Sequence, residues 1–333
     1  MTHKPLCNLY IASCTKDGGI WQYRQKLSSW EPVSFTPVDR PMYMTISDRK
    51  MYVLLRAPFD SHESGLITYA IAPDGSLQNP SSVQSTHGEV ACHLCADENT
   101  VYAVNYISGS VIRMPDKLVV HTGSSIHPSR QTSPHTHYVN FTPDGRYLTV
   151  TDLGTDQICL YDRELSLQSA VHLPAGHGPR HLTFHEDGCH AFCVNELTST
   201  VSLLLYENGK MQLLDTVQIL PDGYTGESTS AAIRCDGNTV YTSNRGHDSV
   251  SVLDFEKGHL RLRTTIPTYG KCPRDFCIFD HKIIAANEND NTVCIISAIT
   301  GDLLAQFPVS SPICVLAEPI PTEFPGEPLR IIK

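Results

Sequence analysis

Four residues of this chain carry side chains suited to handling an anion and moving a proton. His137 offers an imidazole that titrates near neutral pH, Glu196 a carboxylate, and Arg180 and Arg245 two guanidinium groups. Guanidinium groups that converge repel one another unless an anion or a carboxylate receives them, so a shared location would make an anion clamp beside a general acid or base. Arg274 and His93 extend the set as candidate substrate contacts, as do Asn195 and Asn244, which adjoin Glu196 and Arg245. Each also has a plainer use: a histidine can be a hydrogen-bonded strand residue, Arg180 and Glu196 can simply pair, and asparagines close turns.

Other chemistries find less support. Sixteen histidines invite a metal reading, but no His-Glu-x-x-His helix is present. Cys92-His93-Leu94-Cys95 resembles half a zinc site without its other half, and strand alternation sends Cys92 and Cys95 to opposite faces. Neither a metal nor a cofactor is expected. There is no Gly-x-Ser-x-Gly elbow, phosphate-binding loop or dinucleotide fingerprint, which disfavours covalent serine catalysis and nucleotide cofactors.

The candidate residues lie far apart in sequence, so a repeat must bring them together. Short runs rich in Val, Ile, Tyr and Thr recur between Gly, Asn, Asp and Pro clusters, an all-β pattern. The clearest copies end in a polar residue, as in Val101–Asn105, Ala191–Asn195, Val240–Asn244 and Ile283–Asn287, and fainter ones end at Ser13, Leu55 and Asp152. Seven copies about 46 residues apart, each with roughly four strands, predict a seven-bladed β-propeller of four-stranded antiparallel blades. A second apolar run precedes each copy, near positions 42, 92, 138, 182, 232, 275 and 314. The first blade must therefore take its inner strand from Ile313–Ala317, pairing the two chain ends and closing 1–333 into one domain.

That topology turns positions into a site. The start of each inner strand and the end of the next strand share one face, so His93, His137, Arg180 and Arg274 should meet Glu196, Arg245 and Glu288 at one mouth of the central channel.

Composition sets the outer bounds. Lys and Arg total 25 against 35 Asp and Glu, a net charge of −10, which predicts no nucleic-acid or membrane partner. The twelve cysteines are scattered and no secretory leader is evident, so reduced thiols and a cytoplasmic location are expected.

Five segments resemble signature motifs of a known family: Ser133-Pro-His-Thr-His137, Gly178-Pro-Arg-His181, Cys193-Val-Asn-Glu-Leu197, Thr242-Ser-Asn-Arg-Gly-His-Asp248 and Cys272-Pro-Arg-Asp-Phe276. They are similar to those of the seven-bladed propeller lactonases, which include cycloisomerase-type 6-phosphogluconolactonases and fungal carboxy-muconate lactonizing enzymes. The resemblance spans essentially the whole chain. It implies a carboxylic ester hydrolase acting on a small anionic lactone, with 6-phospho-D-glucono-1,5-lactone as the leading candidate, and puts the family's functional residues on His137, Arg180, Glu196 and Arg245. A muconate-type lactonizing cycloisomerase needs the same clamp and acid-base group, and a non-catalytic scaffold remains a third reading. The first two blades carry Ser13 and Leu55 where the others carry Asn or Asp, predicting a less polar side of the mouth.

Overall fold

The computed structural model describes residues 7–26 and 29–320. Among them are seven antiparallel sheets and no helix. Blade 1 combines Cys7–Ser13, Gly19–Gln25 and Trp30–Pro37 with the C-terminal Pro312–Pro319 as its innermost strand, in the register Ile11 opposite Val315. The chain ends thus close the ring as the repeat arithmetic requires. Blades 2 to 7 follow with inner strands at Pro41–Ser47, Ala91–Ala96, Thr136–Phe141, Pro179–Phe184, Thr229–Asp236 and Pro273–Phe279. The outermost strand of blade 2 is reduced to two-residue pieces, Leu77–Gln78 and Gln84–Ser85.

Burial explains the sequence pattern. The three inner strands of a blade lie between two neighbouring blades, so they read as near-continuous apolar runs, as in Ile283–Ala286, which is buried throughout. Outer strands have one wet face and alternate, as in Leu167–His172. The apolar clusters lie at blade junctions: Phe192 of blade 5 packs on Phe255 of blade 6 with ring centroids 5.1 Å apart, and both belong to one buried cluster. Truncating Phe192 to Ala should cost about 3–5 kcal/mol and loosen the strand that ends at Asn195.

One irregularity builds the mouth. Every inner strand slips register within its first residues, a bulge that aims an extra side chain into the channel. The bulge residues include Cys92, His137, Arg180 and Arg274, with Met42, Ala231 and Ile313 completing the ring. In five blades the residue before the inner strand has a left-handed backbone: Arg40, Val90, Gly178, Cys272 and Ser311. Their carbonyls accept the amide N–H of Arg56, Tyr106, Glu196, Glu288 and Cys14 at 2.8–3.0 Å. A second ring of side chains is thereby fixed immediately after the second strands. Gly178 is needed where it stands, since its φ is +65° and a Cβ there would lie 2.7 Å from Leu197 Cγ.

Candidate active site

The bulge residues Met42, Cys92, His137 and Arg274, with Arg56, Tyr106, Glu196 and Arg245 at the ends of second strands, line a funnel of about 430 Å³. This size suits a small metabolite. Met42, Val90 and Ile107 form a predominantly apolar side, whereas His137, Glu196, Arg245 and Arg274 form a polar one. Met42 comes from blade 2, but Val90 and Ile107 flank strands of blade 3 and blade 2 also sends in Arg56, so the apolar side does not coincide with the first two blades.

Glu196 is the centre of the polar side. Its carboxylate is buried, with Arg180 Nε 2.9 Å and Arg245 Nη2 3.1 Å from Oε2, while Arg130 Nη2 donates to Oε1 at 2.5 Å. Burial alone would raise its pKa, but the charges of Arg245, Arg180 and Arg130 hold it well below the usual carboxylate range. Glu196 is therefore ionised at any physiological pH, and both its oxygens are occupied by arginines. It organises cations rather than accepting a proton.

The arginines differ in what they leave free. Arg180 is almost fully buried; burial and the neighbouring charge of Arg245 lower its pKa to about 10. It remains a cation, anchored by Nη1 donating to the Ala231 carbonyl at 2.7 Å. Arg245 Nη2 donates to the Ser230 carbonyl at 3.0 Å, and Arg274 Nη1 donates to Glu288 Oε2 at 3.3 Å. Arg56 stands exposed on the far wall. Five guanidinium groups thus share the mouth with two carboxylates, leaving three positive charges in excess.

His137 lines the funnel beside this cluster. Burial and then the Arg180 charge push its pKa well below the ordinary histidine value, with Glu196 opposing. The imidazole is neutral near pH 7 and free to accept a proton. Its Nδ1 lies 3.7 Å from Cys92 Sγ, and burial pushes that thiol up to about 12. Asp152 braces the segment that delivers His137, accepting the amide N–H of His135 at 2.8 Å and pairing with His121 Nδ1 at 2.8 Å.

Three expected substrate contacts are placed elsewhere. His93 is one residue past the bulge, so Cys92 occupies the mouth position; the His93 ring lies deeper, against Tyr43 at 4.3 Å and Tyr138 at 4.4 Å. Asn195 Nδ2 donates to Thr200 Oγ1 and Ser202 Oγ, both at 2.9 Å. Asn244 Nδ2 donates to Ser249 Oγ at 3.1 Å and Ser251 Oγ at 2.7 Å. These fully buried amides tie a second strand to the third and position Glu196 and Arg245 from behind.

Arg130 and Tyr106 were missing from the sequence reading. Arg130 reaches the site from the irregular stretch 121–135 and also donates to the Tyr106 hydroxyl at 3.1 Å. Tyr106 follows Asn105 just as Glu196 follows Asn195, so the rule that singled out Glu196 would have found it. No group of three or more metal-ligating side chains occurs among the described residues, and all twelve cysteines are free thiols.

Comparison with known proteins places this geometry. A family model described as lactonase, 7-bladed beta-propeller, matches residues 8–317. An uncharacterised protein of Staphylococcus epidermidis is 31% identical over 325 residues, covering 88% of this chain and 94% of its own. Among solved structures, the periplasmic gluconolactonase of Pseudomonas aeruginosa superposes with a TM-score of 0.85 at 26% identity, covering 95% of this chain and 100% of its own. A Bacteroides fragilis protein provisionally designated a 6-phosphogluconolactonase gives the same TM-score and identity, with 96% and 99% coverage.

Proposed function

Because the chain belongs to the seven-bladed β-propeller lactonase family, we propose that it hydrolyses a small anionic sugar δ-lactone, with 6-phospho-D-glucono-1,5-lactone as the leading substrate. The observation that carries this reading is the excess of positive charge in a funnel that also holds a neutral, buried histidine. A phosphate would be received by the more accessible guanidinium groups of Arg56 and Arg274. His137 removes a proton from the attacking water and returns it to the leaving ring oxygen. Arg180 and Arg245, already held by Glu196, face the oxyanion; one such preorganised donor is worth ~3 kcal/mol. A sugar lactone is an activated ester, so general base catalysis and charge stabilisation suffice without a covalent intermediate.

The apolar side formed by Met42, Val90 and Ile107 favours a second reading, a lactonizing cycloisomerase whose substrate is a less hydroxylated dicarboxylate. A scaffold has no need for three arginines converging on a buried carboxylate at 2.5–3.1 Å. Purified protein assayed by acid release on phosphorylated and unphosphorylated sugar lactones, and by ultraviolet absorbance on unsaturated dicarboxylates, separates the readings. Hydrolysis of the phosphorylated lactone above its spontaneous rate supports the lactonase. Turnover of the dicarboxylate alone replaces it with the cycloisomerase, and inertness toward every compound sinks both.

A further inference from the structure

Below the mouth the channel narrows to a chamber of about 10 Å³ bounded by His137, Arg180, His181, Tyr43 and Asp275. Its volume is close to that of a single water site. Farther along the inner strands lies a cavity of about 200 Å³ lined by Tyr43, His93, Tyr138 and Arg234, toward the opposite end of the channel. His181 stands between the two. Its ring centroid is 5.5 Å from that of His137 and 5.0 Å from that of His93, and the residue is only 3% exposed. Neither ring nitrogen has a hydrogen-bond partner, although Nδ1 and Nε2 are both buried. Buried imidazole nitrogens rarely go without a partner unless they are arranged for a small polar molecule.

We infer that the chamber seats the water that attacks the lactone, with His181 as the positioning residue that holds it against His137. The inference rests on the lactonase reading. His181 stays uncharged, since burial and then the Arg180 charge push its pKa well below the ordinary value, so it adds no further cation beside the arginines.

In the step, the water oxygen forms a bond to the carbonyl carbon as its proton passes to His137, and the carbonyl electron pair moves onto the oxygen facing Arg180 and Arg245. Collapse re-forms the carbonyl and breaks its bond to the ring oxygen, which takes the proton from His137. The hydroxy acid then releases its carboxyl proton to solvent.

Two measurements on the full chain test this. A crystal structure of the wild-type protein at about 1.5 Å should show an ordered water hydrogen-bonded to His181 in the chamber; its absence overturns the inference. In kinetics, His181→Phe should lower kcat roughly tenfold with KM unchanged, while His181→Gln, which keeps a hydrogen-bonding group, recovers most of it. Equal loss in both variants, or wild-type kcat in His181→Phe, also overturns the inference. Should the variants not fold, the wild-type reaction in 10% methanol decides: a one-water chamber yields the hydroxy acid almost free of methyl ester, whereas a solution-like ester fraction refutes it. A chamber water without turnover of any lactone would instead sink the lactonase reading and leave the water site standing.

Discussion

Glu196→Gln is the most informative single perturbation, because it removes one charge and leaves the shape. In the wild type one carboxylate lies within 2.5–3.1 Å of Arg130, Arg180 and Arg245. A carboxamide cannot neutralise them, so three guanidinium groups, one almost wholly buried, lose their counter-charge. Removing one partner of a buried pair costs about 3–5 kcal/mol. At a urea dependence of ~3 kcal/mol per molar for a chain of this length, the midpoint should fall by about 1 M or more.

The pH dependence has a definite sign. The folded-state pKa of Glu196 lies well below the unfolded value, so its contribution is complete above about pH 5 and is lost as pH falls through the acid range toward the folded value. Wild-type stability should therefore decline more steeply on acidification than that of the Gln variant. Inorganic phosphate should rescue the variant more than the wild type, since an anion at 100 times its Kd adds ~2.7 kcal/mol. A Gln variant within ~1 kcal/mol of wild type, with the same acid slope and the same response to phosphate, would show that Glu196 does not organise the arginines.

Other outcomes follow from the same geometry. The low pKa of His137 predicts that kcat/KM stays flat from pH 8 down to about 6.5, read from a pH series on free enzyme; a limb at or above 6.5 would contradict a neutral histidine. Arg56→Ala should raise KM for a phosphorylated lactone about fivefold to tenfold while leaving an unphosphorylated one nearly unchanged, and raised salt should erode the difference. Thiol titration without denaturant should label the exposed Cys189 quickly and the buried cysteines slowly, with all twelve reacting in guanidinium. Fast reaction of Cys92 would mean that its thiol is not held up by burial.

The ring was legible in the sequence because each second strand ends on a residue the blade itself requires. Ser13, Leu55, Asn105, Asp152, Asn195 and Asn287 each pair with the first residue of their inner strand, and Asn244 pairs with the second residue of its own. The same topology brought His137, Arg180, Glu196, Arg245 and Arg274 to one mouth. It misplaced His93 because a bulge adds one residue, and a one-residue slip exchanges the side chain that faces the mouth. Asn195 and Asn244 stand beside functional residues in sequence yet point into their own blades. Arg130 was invisible for a different reason: no strand period runs through 121–135, so nothing local says where that guanidinium points.

The central claim is that a cluster of arginines on one glutamate, with a neutral histidine beside it, hydrolyses an anionic lactone. The direct measurement is the rate of 6-phospho-D-glucono-1,5-lactone disappearance, followed by NMR, with wild type, His137→Gln and no protein compared in one buffer. The account predicts consumption well above the spontaneous rate by wild type and loss of most of that excess in the variant. Wild-type consumption at the spontaneous rate, or a His137→Gln variant as fast as wild type, would contradict it.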